Sequence, residues 1–173
     1  MAVKRVYWDS CAWLGLINGE ADKLAACQYI LDEAVAERVE IWTSALSLAE
    51  VFKVKCSGKA SSLPADKDQA FEDFLLKEFV VRAAVTVEIA TFTRTLLRKF
   101  GGSPNDTIHL ATAAIYNADE LHTYDDKLLA LDRKVKRADG EMLTIVRPPD
   151  PPPGTKIPLL EAKASDATSQ AQS

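Results

Sequence analysis

Hydrophobic positions along the chain follow two alternating patterns. Short runs rich in valine, tyrosine and tryptophan are typical of buried β-strands, whereas apolar positions that recur every three or four residues are typical of helices. The short runs predict strands at Val3–Trp8, Val39–Trp42, Phe79–Val81, Leu121–Thr123 and Met142–Val146. The helical spacing predicts helices at about Asp22–Arg38, Ser44–Cys56, Asp66–Lys77, Val87–Phe100, Pro104–Tyr116 and Asp126–Arg133. Such alternation predicts an α/β fold in which helices cover both faces of a central, mainly parallel sheet.

The alternating pattern ends near Arg147. Six of the eight prolines fall between Pro148 and Pro158, and the C-terminal residues that follow are rich in alanine, serine and glutamine. A segment of this composition buries too little apolar surface to offset the entropy lost on ordering. We therefore predict a folded domain over residues 1–147 and a Pro-rich, disordered tail over residues 148–173.

Composition narrows the class of protein. Hydrophobic residues make up 47% and charged residues 27% of the 173 residues, which is enough for one buried core. A net charge of -4 excludes binding of nucleic acid by bulk positive charge alone. Three cysteines without a CxxC pair indicate neither a disulfide framework nor a zinc site, and they fit a reducing compartment. Because no signal peptide and no membrane-spanning stretch is evident, we expect a cytoplasmic protein that does not bind membranes.

Acidic residues follow the predicted strands or lie in the helices that come after them. Asp9 follows the first strand, Glu50 lies two turns into the helix after the second, and Asp106 lies in the first turn of its helix. Asp125 and Asp126 follow the fourth strand. Because the carboxyl ends of parallel strands meet at one edge of a sheet, where ligands bind, we expect these carboxylates to lie close together.

Each acid also has a purely structural explanation. Asp9 and Asp125 could cap the helices that follow them, and Asp106 could complete a capping box in its own helix. Glu50 could form an ion pair with Lys53. A cluster of all four is costly without a cation, because two carboxylates about 4 Å apart repel by roughly 4 kcal/mol at an effective dielectric constant near 20.

A bound cation is the shared explanation for such a cluster. Oxygen ligands alone select hard ions such as Mg²⁺ or Mn²⁺. Such an ion orients and deprotonates a water molecule, and it neutralises the charge that develops on a phosphodiester. The acidic pattern therefore predicts metal-assisted hydrolysis of a phosphodiester bond.

The four runs that carry these acids resemble the motif regions of the PIN-domain nucleases, and in particular those of VapC-type toxins from toxin-antitoxin pairs. The runs are residues 6–10 (VYWDS), 44–51 (SALSLAEV), 105–111 (NDTIHLA) and 122–128 (HTYDDKL). They occur in the family's order within residues 3–146. The resemblance implies a three-layer α/β/α sandwich, a Mg²⁺- or Mn²⁺-dependent endoribonuclease, an RNA substrate, a small antitoxin partner and a homodimer.

The resemblance also implies roles for single residues. The positions that match the family's catalytic acids are Asp9, Glu50, Asp106 and Asp125. The positions that match its metal ligands are Asp9, Asp106 and Asp125. The positions that match its supporting residues are Ser10, Ser44 and Asp126. Leu128 stands where the family usually has phenylalanine, which leaves the choice between Asp125 and Asp126 open, although Thr123 two residues earlier favours Asp125.

Other functions compatible with the same pattern stay open. The fold could serve as a noncatalytic interaction module, or as a nuclease that acts on DNA or in RNA processing. A phosphatase of the haloacid dehalogenase type is excluded because Cys11 stands where its second aspartate would be required. His109 lies one turn after Asp106, and a histidine in that position is expected more often to pack in the core than to act in the site.

Overall fold

A computed structural model describes residues 3–56 and 59–155 of the chain. The strands are β1 (Lys4–Trp8), β2 (Val39–Ser44), β3 (Lys53–Cys56), β4 (Lys59–Ser62), β5 (Val80–Ala83), β6 (Glu120–His122) and β7 (Thr144–Val146). The helices are α1 (Ser10–Asn18), α2 (Leu24–Val35), α3 (Leu46–Glu50), α4 (Ala65–Leu75), α5 (Val87–Phe100), α6 (Pro104–Ile115) and α7 (Asp126–Leu129). Five strands form one parallel sheet in the order β5-β2-β1-β6-β7. The predicted α/β class is confirmed.

Side chains of β1 alternate between two hydrophobic cores, one on each face of the sheet. Val6 and Trp8 pack with residues of α1, α2 and α4, whereas Tyr7 packs with residues of α5 and α6. All three side chains are fully buried. Trp13 belongs to the first core and donates from Nε1 to Thr43 Oγ1 at 3.1 Å, which ties α1 to β2. The two cores complete the expected three-layer sandwich and hold β1 in its middle.

Polar residues fix the starts of the helices near the carboxyl edge of the sheet. Asp9 caps α1, Thr86 caps α5 and Ser103 caps α6, since each side chain accepts a hydrogen bond from a backbone N–H in the first turn. Pro104 occupies the first turn of α6, where the missing N–H is not needed. Gly101, with a φ of 72°, ends α5 in a conformation that favours glycine. These residues set where α6 begins and therefore where Asp106 lies.

The helix predicted over Ser44–Cys56 is wrong in its length. α3 ends at Glu50, and Lys53–Cys56 pairs with Lys59–Ser62 as an antiparallel hairpin. Val51 leaves the helical region with a ψ of 65°. The polar and apolar residues of β3 alternate with a period of two, which favours a strand. Glu50 is therefore the last residue of a short helix and does not lie two turns into a longer one.

The boundaries of two later elements also differ from the prediction. The helix expected to reach Arg133 ends at Leu129, and the strand expected from Met142 begins at Thr144. Turns connect the two elements, and Leu143 from this segment is fully buried in the second core. Hydrophobic residues of this connection thus pack without belonging to a regular element.

The first residues of the predicted tail lie against the folded domain. Pro148 is buried, and Arg147 Nη2 lies 2.9 Å from Asp126 Oδ1. The boundary at residue 147 stays a prediction, because residues 156–173 lie outside the described part of the chain. Within that part, no helix is both long and apolar enough to cross a membrane.

Candidate active site

The carboxyl ends of β1 and β6 bring two of the predicted acids to the same edge of the sheet. Trp8 is paired with His122, so the residues that follow the two strands are neighbours. Thr123 donates its hydroxyl to Asp9 Oδ2 at 2.5 Å, and its Oγ1 accepts from the backbone N–H of Asp125 at 3.0 Å. Thr123 therefore joins the two aspartates directly.

Asp9 is a buried carboxylate that both caps a helix and faces the site. Only 3% of its surface is exposed, and Oδ1 accepts from the N–H of Ala12 at 3.0 Å. Burial raises the pKa of Asp9, while His109 and the hydrogen bond from Thr123 act in the opposite direction. The capping role predicted as an alternative is therefore real. Each carboxylate oxygen accepts one hydrogen bond and keeps a further lone pair for a cation.

Removing the charge of Asp9 should stabilise the metal-free protein near neutral pH. The raised pKa means that the folded state binds the proton more tightly than the unfolded chain does. Stability is then greatest below the unfolded pKa and falls as the pH rises through the folded value. Asp9→Asn keeps an oxygen that can cap α1. We expect the variant to have a higher melting temperature than the wild type near neutral pH in EDTA.

The measurement is the melting temperature of both proteins in EDTA across the acidic and neutral range. The difference should shrink as the pH falls, because the wild-type carboxyl group becomes neutral as well. A variant that melts below the wild type at every pH would show that the charged form of Asp9 contributes to the fold.

Glu50 is held by three side chains from distant parts of the sequence. Oε2 accepts a short hydrogen bond from the Ser10 hydroxyl and lies 2.7 Å from His109 Nε2. Oε1 accepts from Asn105 Nδ2 at 2.8 Å. Burial alone would raise the pKa of Glu50, but the bonds from His109 and Ser10 outweigh it and lower the pKa. Glu50 is therefore a fixed, ionised carboxylate whose oxygens already have protein partners.

His109 links Glu50 to the hydrophobic core. Its ring is 2% exposed, and its Nδ1 lies 2.8 Å from the hydroxyl of Tyr7. Because a carboxylate only accepts hydrogen bonds, Nε2 donates to Glu50. The sequence predicts that this histidine packs in the core, and it is indeed buried. The sequence does not predict its contact with Glu50. A spacing of three residues places it on the same helix face as Asp106, and that spacing is the signal that could have indicated its role.

Asp106 has a carboxylate without a protein partner. Its backbone N–H donates to Ser103 Oγ at 3.2 Å, but its side chain accepts no hydrogen bond and forms no ion pair within residues 3–56 and 59–155. The capping-box explanation for this residue therefore does not hold. A partly buried, unpaired carboxylate in the first turn of α6 is suited to bind a cation.

Asp125 and the residue after it have different environments. Asp125 Oδ1 accepts from the backbone N–H groups of Lys127 and Leu128, at 2.7 and 3.2 Å, and so caps α7. Asp126 is exposed and forms the ion pair with Arg147 described above. The geometry favours Asp125 over Asp126 as the candidate metal ligand that follows β6.

Cys11 is partly buried beside the acidic residues of this edge. Burial, followed by the charges of Asp9 and Asp125, raises the pKa of its thiol to about 12, and the charge of Asp106 adds to the rise. A thiol with this pKa is not a nucleophile near neutral pH. Ser44 is buried at the end of β2, where its Oγ accepts from the N–H of Leu46 at 3.1 Å.

The donors at this edge fit a magnesium or manganese ion bound partly through water. No group of three histidine, cysteine, aspartate or glutamate side chains in the described ranges is arranged to hold a metal ion directly. Mg²⁺ usually binds through one or two carboxylates, with water molecules and substrate phosphates completing its octahedron. The unpaired carboxylate of Asp106 and the free lone pairs of Asp9 and Asp125 meet that requirement.

The family of the chain follows from its fold together with this arrangement of acids. The model of the PIN domain matches residues 6–134. The chain therefore belongs to the PIN-domain family, whose members are nucleases. The resemblance seen in the four sequence runs is confirmed.

Solved structures of toxin-antitoxin proteins share the fold. The VapC20 toxin of Mycobacterium tuberculosis, described as cleaving the sarcin-ricin loop, is 15% identical with a TM-score of 0.57, over 72% of this chain and 94% of that protein. The VapBC2 structure of Rickettsia felis bound to promoter DNA is 20% identical with a TM-score of 0.52, over 82% and 98% of the two chains. A toxin-antitoxin complex from Klebsiella pneumoniae is 19% identical with a TM-score of 0.56, over 84% and 99%. No curated protein matches the chain.

Proposed function

We propose that the chain is a Mg²⁺- or Mn²⁺-dependent endoribonuclease and the toxin of a cytoplasmic toxin-antitoxin pair. The observation that carries the proposal is the hydrogen-bonded link from Asp9 through Thr123 to Asp125, at the carboxyl edge of a PIN-domain sheet. The description of VapC20 as a toxin that cleaves the sarcin-ricin loop supports RNA as the substrate.

The residues at the carboxyl edge of the sheet have different roles in the proposed reaction. Asp9, Asp106 and Asp125 would hold the ion, which when bound would supply an activated water molecule and neutralise charge on the phosphodiester. Glu50 is kept ionised and oriented by Ser10 and His109, so it adds a fixed negative charge beside the aspartates that favours a cation there. Ser44 and Asp126 act from further away, through the start of α3 and the ion pair with Arg147.

An antitoxin is the expected partner of such a toxin. The Klebsiella pneumoniae structure is a toxin-antitoxin complex. An arginine or lysine that an antitoxin inserts among the aspartates would pair with them and displace the ion. We propose a homodimer as the assembly of the toxin itself.

Metal removal is the decisive test of this activity. Purified protein should cleave RNA in Mn²⁺ or Mg²⁺, stop when EDTA is added and recover when Mn²⁺ is restored. Because an activated water attacks the phosphorus, the products should carry 5′-phosphates and 3′-hydroxyls rather than cyclic phosphates. End-group analysis of the cleaved RNA measures this directly.

Three results would contradict the proposal. Cleavage that survives EDTA would remove the metal from the mechanism, and cyclic phosphate ends would make the 2′-hydroxyl the nucleophile. Protein that cuts DNA and not RNA would be a deoxyribonuclease that uses the same metal-assisted mechanism. Expression that arrests growth, and no longer does so with Asp9→Ala, is the matching result in cells.

A further inference from the structure

Lys23 is a lysine held in one place beside the acidic edge. Its Nζ lies 2.5 Å from Glu20 Oε2 and 5.0 Å from the centre of the Tyr124 ring. Its side chain is 22% exposed, so the ammonium group keeps access to solvent. Most surface lysines move freely, because fixing a long side chain costs entropy. A lysine fixed by two polar contacts therefore needs an explanation.

Gly15 allows the stem of this lysine to pack closely on α1. A Cβ atom at Gly15 would lie 3.0 Å from Lys23 Cβ and 3.1 Å from Lys23 Cδ, closer than most side chains allow. Gly15 is buried, and its φ is not in the left-handed region, so close approach is the reason for glycine here. The missing side chain thus makes room for Lys23.

The position of Lys23 relates it to the aspartates. Tyr124, whose ring it covers, directly precedes Asp125 in the chain. Cys11 lies four residues before Gly15 on α1, so the two share a helix face and Cys11 is one turn nearer the edge. The Tyr124 hydroxyl also donates to the backbone carbonyl of Lys23 at 3.5 Å, which holds Lys23 against the residue before Asp125. A positive charge is therefore placed at the rim of a strongly acidic site.

We propose that Lys23 is a substrate-positioning residue that binds a backbone phosphate of the RNA next to the scissile bond. This inference rests on the proposed nuclease function. An acidic edge repels the phosphates of its own substrate, and a cation at the rim offsets that repulsion and fixes the register of the strand. Glu20 holds the ammonium group in place until RNA binds.

Exchange of Glu20 for a phosphate is physically easy. Glu20 is 36% exposed, and ion pairs at such exposed positions are worth little to the fold. The Tyr124 ring keeps the ammonium group near the site during the exchange, by attraction between the cation and the ring face. The ring face that Lys23 covers is not free to stack on a base.

Binding of RNA without cleavage gives the test. A short, fluorescent, single-stranded RNA is titrated with protein in EDTA at several KCl concentrations, and fluorescence anisotropy gives Kd at each. Lys23→Gln should raise Kd roughly three- to tenfold, since a charge-assisted contact is lost. It should also lower the slope of log Kd against log salt by about 0.7, the value for one phosphate contact with a single strand.

Glu20→Gln should change Kd in the opposite direction. Its Kd should fall, because the lysine loses the carboxylate that competes with the phosphate.

Lys67→Gln is the matched control. Lys67 also contacts α1, but it does so at Asn18, the last residue of that helix and the end away from Asp9. It should leave the affinity and the salt slope near the wild-type values. If the pair only stabilises the fold, both Lys23→Gln and Glu20→Gln should lower the melting temperature and leave the salt slope unchanged, which would overturn the inference. Wild-type protein that neither binds nor cuts RNA would contradict the proposed function as well. Cleavage by the wild type together with unchanged binding by Lys23→Gln would contradict this inference alone.

Discussion

Asp106→Asn should slow RNA cleavage about a hundredfold to a thousandfold and remove most of the stabilisation by Mn²⁺. The carboxylate of Asp106 has no protein partner in the described ranges, so its loss breaks no contact of the fold. Under the proposed function, the variant loses a negative charge that would bind the ion, and with it part of the stabilisation of the transition state. An ion that binds only the folded state raises the melting temperature by mass action. The measurements are single-turnover cleavage and melting temperature with and without Mn²⁺.

Asp66→Asn is a suitable control for this variant. Asp66 also lies in the first turn of a helix, α4, so the same substitution has the same effect on the helix dipole there. It should cleave RNA at the wild-type rate and keep the full rise in melting temperature with Mn²⁺. Equal rises in Asp106→Asn and in the wild type would remove Asp106 from the metal site.

His109→Ala should lower the free energy of unfolding by about 2–4 kcal/mol, through a cavity and an orphaned polar group. Tyr7 is fully buried, and its hydroxyl loses the partner at 2.8 Å. Glu50 loses one of the donors that keep it ionised. Urea denaturation near neutral pH measures the change, and cleavage by the same protein reports on Glu50.

Tyr7→Phe separates the two effects of His109. Adding Tyr7→Phe to His109→Ala removes the orphaned hydroxyl, so the double variant should recover part of the stability and none of the cleavage. A double variant as unstable as the sum of the two single variants would show that the contact between Tyr7 and His109 contributes nothing.

The sequence predicted the sheet and the place of the aspartates well, because both depend on local patterns. Strand runs are visible in the spacing of hydrophobic residues, and an acid that directly follows a parallel strand must lie at the carboxyl edge. Asp9 and Asp125 are examples, since each directly follows a strand or its last residues. Their link through Thr123 agrees with that expectation.

Contacts between distant segments could not be predicted in the same way. Glu50 has partners at Ser10, Asn105 and His109, and no local pattern records those pairings. The short α3 was missed for a related reason. Apolar residues from Leu46 onwards fit a helical stripe, but the chain leaves the helix at Val51 to form a hairpin. Helical periodicity alone does not reveal where tertiary structure ends a helix.

The central place of β1 determines when the site can exist during protein synthesis. β1 is synthesised long before β6, which is one of its two neighbours in the sheet. Thr123, which bonds to Asp9, follows it by 114 residues. A nascent chain, or a fragment that ends before β6, therefore carries Asp9 without the residues that complete its surroundings. The surroundings of Asp9 cannot be complete until the chain has been synthesised through Thr123.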